Sequence, residues 1–197
     1  MLISCNLRKP KLKTKYVPLI TILVMIGLLS VFAWPAQECF AKGPGDLIDK
    51  QAPPFIVTDL NKTRIDLNDA GKVFLIDFWA TWCAPCRETT SVMTSLHNMY
   101  SDQGLVVLGI AVNDNESNVR KYVSEHGIVY PVIARQSRDD TPLIKIIQDY
   151  GVQAIPTLVL IDKSGVVRHV SIGVSPDRAK FQEGLGNLIV GLLKEGQ

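Results

Sequence analysis

Beyond residue 54 the chain alternates short apolar runs of strand length with stretches of helical spacing, the pattern of an α/β fold. Residues 73–79 (VFLIDFW) and 105–112 (LVVLGIAV) are almost unbroken apolar runs, which predicts two strands buried on both faces. The stretch between them, from the second of two close cysteines to about Tyr100, predicts a helix. The three then form a βαβ unit with parallel strands. Residues 55–58 and 63–66, around a polar Asn61-Lys62 connection, predict a small hairpin ahead of that unit. Helical spacing over 117–126 puts Val119, Tyr122 and Val123 on one side and stops at Gly127. Residues 130–133 predict a short strand. A helix over 141–150 opens on Thr141-Pro142, a capping and first-turn pair, and ends at Gly151. Residues 157–161 and 166–172 flank Asp162-Lys163-Ser164-Gly165 and predict a hairpin. A last helix runs from Asp177 to about Leu193, weakened by Gly184 and Gly186.

The first forty residues follow another rule. Residues 17–34 (VPLITILVMIGLLSVFAW) carry no charge and follow a basic stretch holding Arg8, Lys9, Lys11, Lys13 and Lys15. A positive flank before an apolar run orients a segment for membrane insertion with its basic end in the cytoplasm. The run has about the minimum length for crossing a ~30 Å hydrocarbon core. It reads either as a signal peptide, with a cleavage position after Ala41, or as a retained anchor. Lipoprotein processing is disfavoured because Glu38 directly precedes Cys39. The expected organisation is therefore a basic, membrane-directed segment over 1–41, a Gly- and Pro-rich linker over 42–54, and one domain over 55–195.

Charge supports this division. The chain has 21 basic and 19 acidic residues; five of the former and one of the latter precede residue 42, so the remainder is close to neutral. Such a domain has no electrostatic footprint for nucleic acid, and none is expected as a partner. The four cysteines, Cys5, Cys39, Cys83 and Cys86, are too few for a disulfide-built scaffold.

Trp82-Cys83-Ala84-Pro85-Cys86 stands where a buried strand gives way to a helix. Backbone N–H groups at a helix start are unpaired and carry partial positive charge, which stabilises a thiolate, the nucleophilic form of cysteine. Two intervening residues let the second sulfur reach the first. Cys83 is thus expected to attack a substrate disulfide and Cys86 to resolve the mixed disulfide. Pro85 stiffens the turn at little cost, because early helix N–H groups lack partners anyway. Half a zinc site is the competing reading of such a pair, but His97, His126 and His169 are scattered and none is near another cysteine in sequence. No metal or cofactor is expected, and the three histidines read as surface positions.

FWATWCAPCR resembles the active-site segment of thioredoxins, most closely the TlpA/ResA group of exported, often membrane-anchored thiol–disulfide oxidoreductases. The resemblance extends over residues 45–175. It takes in Gly45-Asp46, Ala52-Pro53, Phe55, Gly71-Lys72-Val73, Tyr150-Gly151-Val152, Ile155-Pro156-Thr157, Ile161-Asp162 and Gly165. It implies a thioredoxin-like fold: a central mixed β-sheet flanked by helices, with an N-terminal β-hairpin extension. It implies a cis Pro156 opposite the cysteines, which leaves the backbone of Ile155 able to pair with an extended substrate segment. It also implies that Asp77, an acid inside an apolar run where burial is costly, accepts the proton of Cys86. Two positions depart from the group. Asp77 replaces a common Asn, and Thr89 stands where an acid is frequent, with Glu88 one place earlier. One residue turns a helix by about 100°, so the family role is not transferred to Glu88. Trp79 and Trp82 are expected to wall the site.

The implied activity is reduction of protein disulfides outside the cytoplasm, with electrons from a membrane dithiol donor and cytochrome c maturation as a frequent family role. Competing readings are a thiol-dependent peroxidase of the same fold, a disulfide-forming oxidase, and a non-catalytic binding or chaperone module. Against the peroxidase, Ala80-Thr81-Trp82 lacks the proline that peroxidases carry before their cysteine.

Overall fold

The computed structural model describes residues 43–69, 71–135 and 140–195. The segment expected to be membrane-directed, including residues 17–34, lies outside them. Among the described residues no helix is long and apolar enough to cross a membrane.

The elements run β1 (Ile56–Thr58), β2 (Arg64–Asp66), β3 (Val73–Trp79), α1 (Cys86–Tyr100), β4 (Leu105–Asn115), α2 (Glu116–Glu125), β5 (Val132–Arg135), α3 (Thr141–Asp149), β6 (Thr157–Ile161), β7 (Val167–Ile172) and α4 (Arg178–Lys194). Five strands form one mixed sheet in the order β5-β4-β3-β6-β7, and β1 and β2 form a separate antiparallel hairpin. β3 is parallel to β4 and β4 to β5, whereas β6 runs antiparallel to β3 and β7 antiparallel to β6. This is the thioredoxin-like α/β architecture, with the hairpin preceding it.

β3 is buried along its whole length because both sheet faces are covered. Val73, Leu75 and Trp79 join a core with Met93 and Leu96 of α1, Tyr122 of α2 and Ile189 of α4. Phe74, Ile76 and Phe78 join a second core with Leu143 and Ile146 of α3 and Phe55, Ile65 and Leu67 around the hairpin.

Several local boundaries move, each for a physical reason. β4 extends three residues past the apolar run, through polar Asn113-Asp114-Asn115. Asn115 then caps α2, its side chain accepting from the Asn118 amide. β5 starts at Val132 rather than residue 130, and Tyr130 instead buries its ring in the first core. The cap of α3 is Asp140, whose Oδ1 accepts from the Leu143 amide, so Thr141 is the first helical residue. Residues 43–54 are packed rather than a bare linker. Pro44–Leu47 form a 3-10 turn, Leu47 and Ala52 are buried, and Gln51 bridges to Val166. The histidines also differ from expectation. Only His126 is exposed; His97 and His169 are half-buried, and burial lowers the pKa of both.

Candidate active site

β3 and α1 meet at a six-residue loop, 80–85, and the far end of β4 holds that loop in place. Asp114 Oδ2 accepts from the Thr81 amide at 2.8 Å and from its hydroxyl at 2.6 Å. Oδ1 of the same carboxylate accepts from the Asn115 amide at 3.0 Å and the Asn118 side chain at 3.4 Å. Asn113 takes a left-handed conformation (φ 51°), and its carbonyl accepts from the Trp82 indole N–H at 3.4 Å. Two consecutive polar residues thus clamp the two residues ahead of Cys83. Nothing local marks Asp114 or Asn113; their contacts span more than thirty positions of sequence.

Cys83 and Cys86 are joined in a disulfide with Cα atoms 5.3 Å apart. The two sulfurs are not equivalent. Cys86 opens α1 and is fully buried, while Cys83 keeps 5% exposure. The Cys86 amide donates to Cys83 Sγ at 3.3 Å. Pro85 caps the helix with α-helical angles, and the following turns begin with Arg87 N–H to Ala84 and Glu88 N–H to Pro85. Opposite the pair, the Ile155–Pro156 bond is cis, and the carbonyl oxygen of Ile155 lies 3.9 Å from Cys83 Sγ. Pro156 is buried and Ile155 half-buried.

Asp77 lies in β3 with its side chain on the α1 face, fully buried. Burial pushes its pKa up to about 8, opposed by a side-chain hydrogen bond from Thr89. The Thr89 hydroxyl is 3.5 Å from Asp77 Oδ2 and 2.8 Å from the Cys86 carbonyl oxygen. Asp77 Oδ1 has no hydrogen-bond partner among the described residues. The acid, Thr89 and the peptide carbonyl of Cys86 therefore form one connected set. In sequence Thr89 is only a departure from the family pattern; its contact to Asp77 follows from α1 packing on β3.

The two tryptophans separate. Trp82 is 62% exposed beside the disulfide and borders an apolar groove of about 300 Å3 with Val112, Ile144, Ile147, Val152 and Ile155. Trp79 does not wall the site. It is a core residue at 1% exposure, its ring 5.3 Å from that of Tyr122. Glu88 is exposed in the first turn of α1. Among the described residues no group of three or more His, Cys, Asp or Glu side chains could hold a metal ion.

Residues 48–170 match the model of the AhpC/TSA family. The thiol-disulfide oxidoreductase ResA of Bacillus thuringiensis (strain Al Hakam) is 34% identical over 155 residues, covering 78% of this chain and 85% of the relative. Among solved structures, a thiol:disulfide interchange protein of the thioredoxin family from Chlorobium tepidum TLS superposes with a TM-score of 0.60 at 31% identity. It covers 73% of this chain and 95% of its own. A secreted thiol-disulfide isomerase from Corynebacterium glutamicum gives 0.60 at 26% identity over 74% of this chain and 86% of its own. With a strand–CxxC–helix junction at its centre and these relatives across most of its length, the chain belongs to the AhpC/TSA family, as a ResA-like thiol-disulfide oxidoreductase of the thioredoxin fold.

Proposed function

We propose that this oxidoreductase works as a reductase of protein disulfides outside the cytoplasm, with Cys83 as attacking and Cys86 as resolving sulfur. The observation that carries this reading is the asymmetry of the pair. Cys83 keeps some exposure and receives an amide N–H, whereas Cys86 is fully buried and its carbonyl is linked through Thr89 to Asp77. In the reducing direction the Cys83 thiolate attacks a substrate disulfide, forming a mixed disulfide and releasing one substrate thiolate. Asp77 takes the proton of the Cys86 thiol. The Cys86 thiolate then attacks Cys83 Sγ, the second substrate sulfur leaves, and Cys83–Cys86 closes. The substrate gains two electrons and the pair loses two. Trp82, Ile155 and Pro156 are the substrate-binding residues of this reading. The Ile155 backbone lies beside the reacting sulfur, and Trp82 borders the groove next to it.

The proposed direction draws on the absence of charge between the cysteines. A strongly oxidising pair owes its potential to a stabilised dithiol state. Here Ala84 and Pro85 bring no charge between the cysteines, one amide N–H reaches Cys83, and a carbonyl oxygen faces it. The basic flank and apolar run of the leader support export with the domain outside. Electrons would then come from a membrane dithiol donor, and apocytochrome c disulfides are the substrate the family reading suggests. Equilibrating the full-length chain with glutathione is the test. A potential near ~−270 mV is expected, and one near ~−120 mV would make the chain an oxidase instead. Rapid peroxide consumption by a Cys86→Ser variant would favour the peroxidase.

A further inference from the structure

We propose that Thr89 is a positioning residue for the redox pair: its hydroxyl accepts a hydrogen bond from the acid form of Asp77 and donates one to the carboxylate. The inference rests on the reading of Asp77 as proton acceptor for Cys86 and adds how a sealed carboxyl can change charge there.

The geometry is specific. The Thr89 hydroxyl, 1% exposed as a residue, has one proton and two oxygen neighbours: the Cys86 carbonyl at 2.8 Å and Asp77 Oδ2 at 3.5 Å. In the acid form the Asp77 O–H donates to Thr89 Oγ1, and Thr89 donates onward to the Cys86 carbonyl. When Asp77 ionises, that direction must reverse, because a carboxylate only accepts. The hydroxyl can then turn to Asp77 without orphaning the carbonyl, since the Thr90 hydroxyl also donates to Cys86 O, at 3.0 Å. Two adjacent threonines on one carbonyl therefore make the reversal cheap: one stays while the other turns. A helix interior normally disfavours paired threonines, so their presence in the first turn of α1 costs some helix propensity.

Among the described residues Thr89 is the hydrogen-bond partner that Asp77 has; its Oδ1 has none. In register on β4 the residue opposite Asp77 is Gly109, and on β6 it is Leu158, neither of which titrates. From the segment before β5, the Tyr130 phenol is itself held protonated by burial and by the charge of Asp77. On α1 the titratable neighbour is Cys86, which titrates only when reduced. Among the described residues no charged side chain acts on Asp77; its pKa is raised by burial and lowered by Thr89.

The test uses the full-length oxidised chain in detergent and follows the protonated-carboxyl infrared band of Asp77 against pH, identified by its loss in Asp77→Asn. Thr89→Val removes the hydroxyl and keeps the shape; Thr89→Ser keeps the hydroxyl. The expected result is that Asp77 becomes about tenfold less acidic in Thr89→Val, the scale of one lost hydrogen bond to a charge, and that Thr89→Ser stays close to the parent. An unchanged midpoint in Thr89→Val, or equal shifts in both variants, would overturn the proposal. The underlying reading fails separately: if Asp77→Asn resolves a mixed disulfide on Cys83 as fast as the parent, Asp77 is not the proton acceptor, whatever the infrared midpoints show.

Discussion

At the scale of single residues, the most consequential group is a carboxyl with no charged partner among the described residues. Asp77 has its pKa pushed up to about 8 by burial, far above the ~3.9 of an unfolded aspartate. The folded chain therefore holds a proton that the unfolded chain has released between about pH 4 and pH 8. Stability conferred by the rest of the fold is eroded as pH rises through that window, by several kcal/mol in all. Asp77→Asn should remove this slope. Urea unfolding of the oxidised protein should show the variant far more stable than the parent at pH 8 and little different at pH 4. Equal gains at both pH values would contradict the shift. Asp162 behaves in the opposite sense. Burial raises its pKa, but the Val166 and Ser164 amides and Arg168 outweigh that and hold it below the usual range. Its contribution is present above the ordinary carboxylate pKa and is lost as pH falls through the lowered folded value. Asp114 holds Thr81. Asp114→Ala should cost about 2 kcal/mol, from buried hydrogen bonds to a charged group. It should also slow disulfide exchange at Cys83 more than Asp162→Ala does, since only Asp114 holds the cysteine loop; the two variants' exchange rates with a small disulfide decide this. Asp77 was legible in the sequence as an acid inside VFLIDFW, either costly to bury or partly solvated, and the structure buries it fully. Asp114 and Thr89 were not, because their meaning lies in partners 33 and 12 residues away.

At the scale of elements, the pairing of β3 with β4 brings the site's residues into register, and Gly109 leaves no free room for a Cβ. A Cβ there would lie 2.9 Å from Trp79 Nε1, 3.2 Å from the Tyr130 ring and 3.3 Å from Val132. Two rings and a strand residue would have to move, so Gly109→Ala should cost about 1–3 kcal/mol of unfolding free energy, the range for overpacked cores. The same substitution at Gly184, where a Cβ meets nothing within 4 Å, should be neutral or mildly stabilising because alanine favours a helix. Paired denaturation curves separate the two. The long apolar strands and the hairpin turn were readable from sequence because burial on both faces and the Asp-x-Ser-Gly turn each leave a local mark. The packing of residues 43–54 was not. Gly and Pro suggested a loose connector, whereas Leu47 and Ala52 are buried, and Asp49 and Ala52 donate their amides to Val167 and Gly165 near the β6–β7 turn. Trp79 shows the same limit: one period along a strand decides between a core ring and a wall of the site, and only the sheet register reveals which.

At the scale of the whole molecule, the proposed reductase activity divides the work between two sulfurs of unequal exposure, Cys83 at 5% and Cys86 fully buried. That division of labour is the central claim. The most direct measurement is to incubate reduced Cys86→Ser and Cys83→Ser forms of the full chain with insulin, a protein disulfide of known structure, and to map the covalent adduct by peptide mass. Mapping also separates Cys83 and Cys86 from Cys5 and Cys39. This division of labour predicts that Cys86→Ser accumulates a stable mixed disulfide on Cys83 at neutral pH, and that Cys83→Ser forms none at Cys86. An adduct on Cys86, or two thiols that stay inert until strongly alkaline pH, would contradict it.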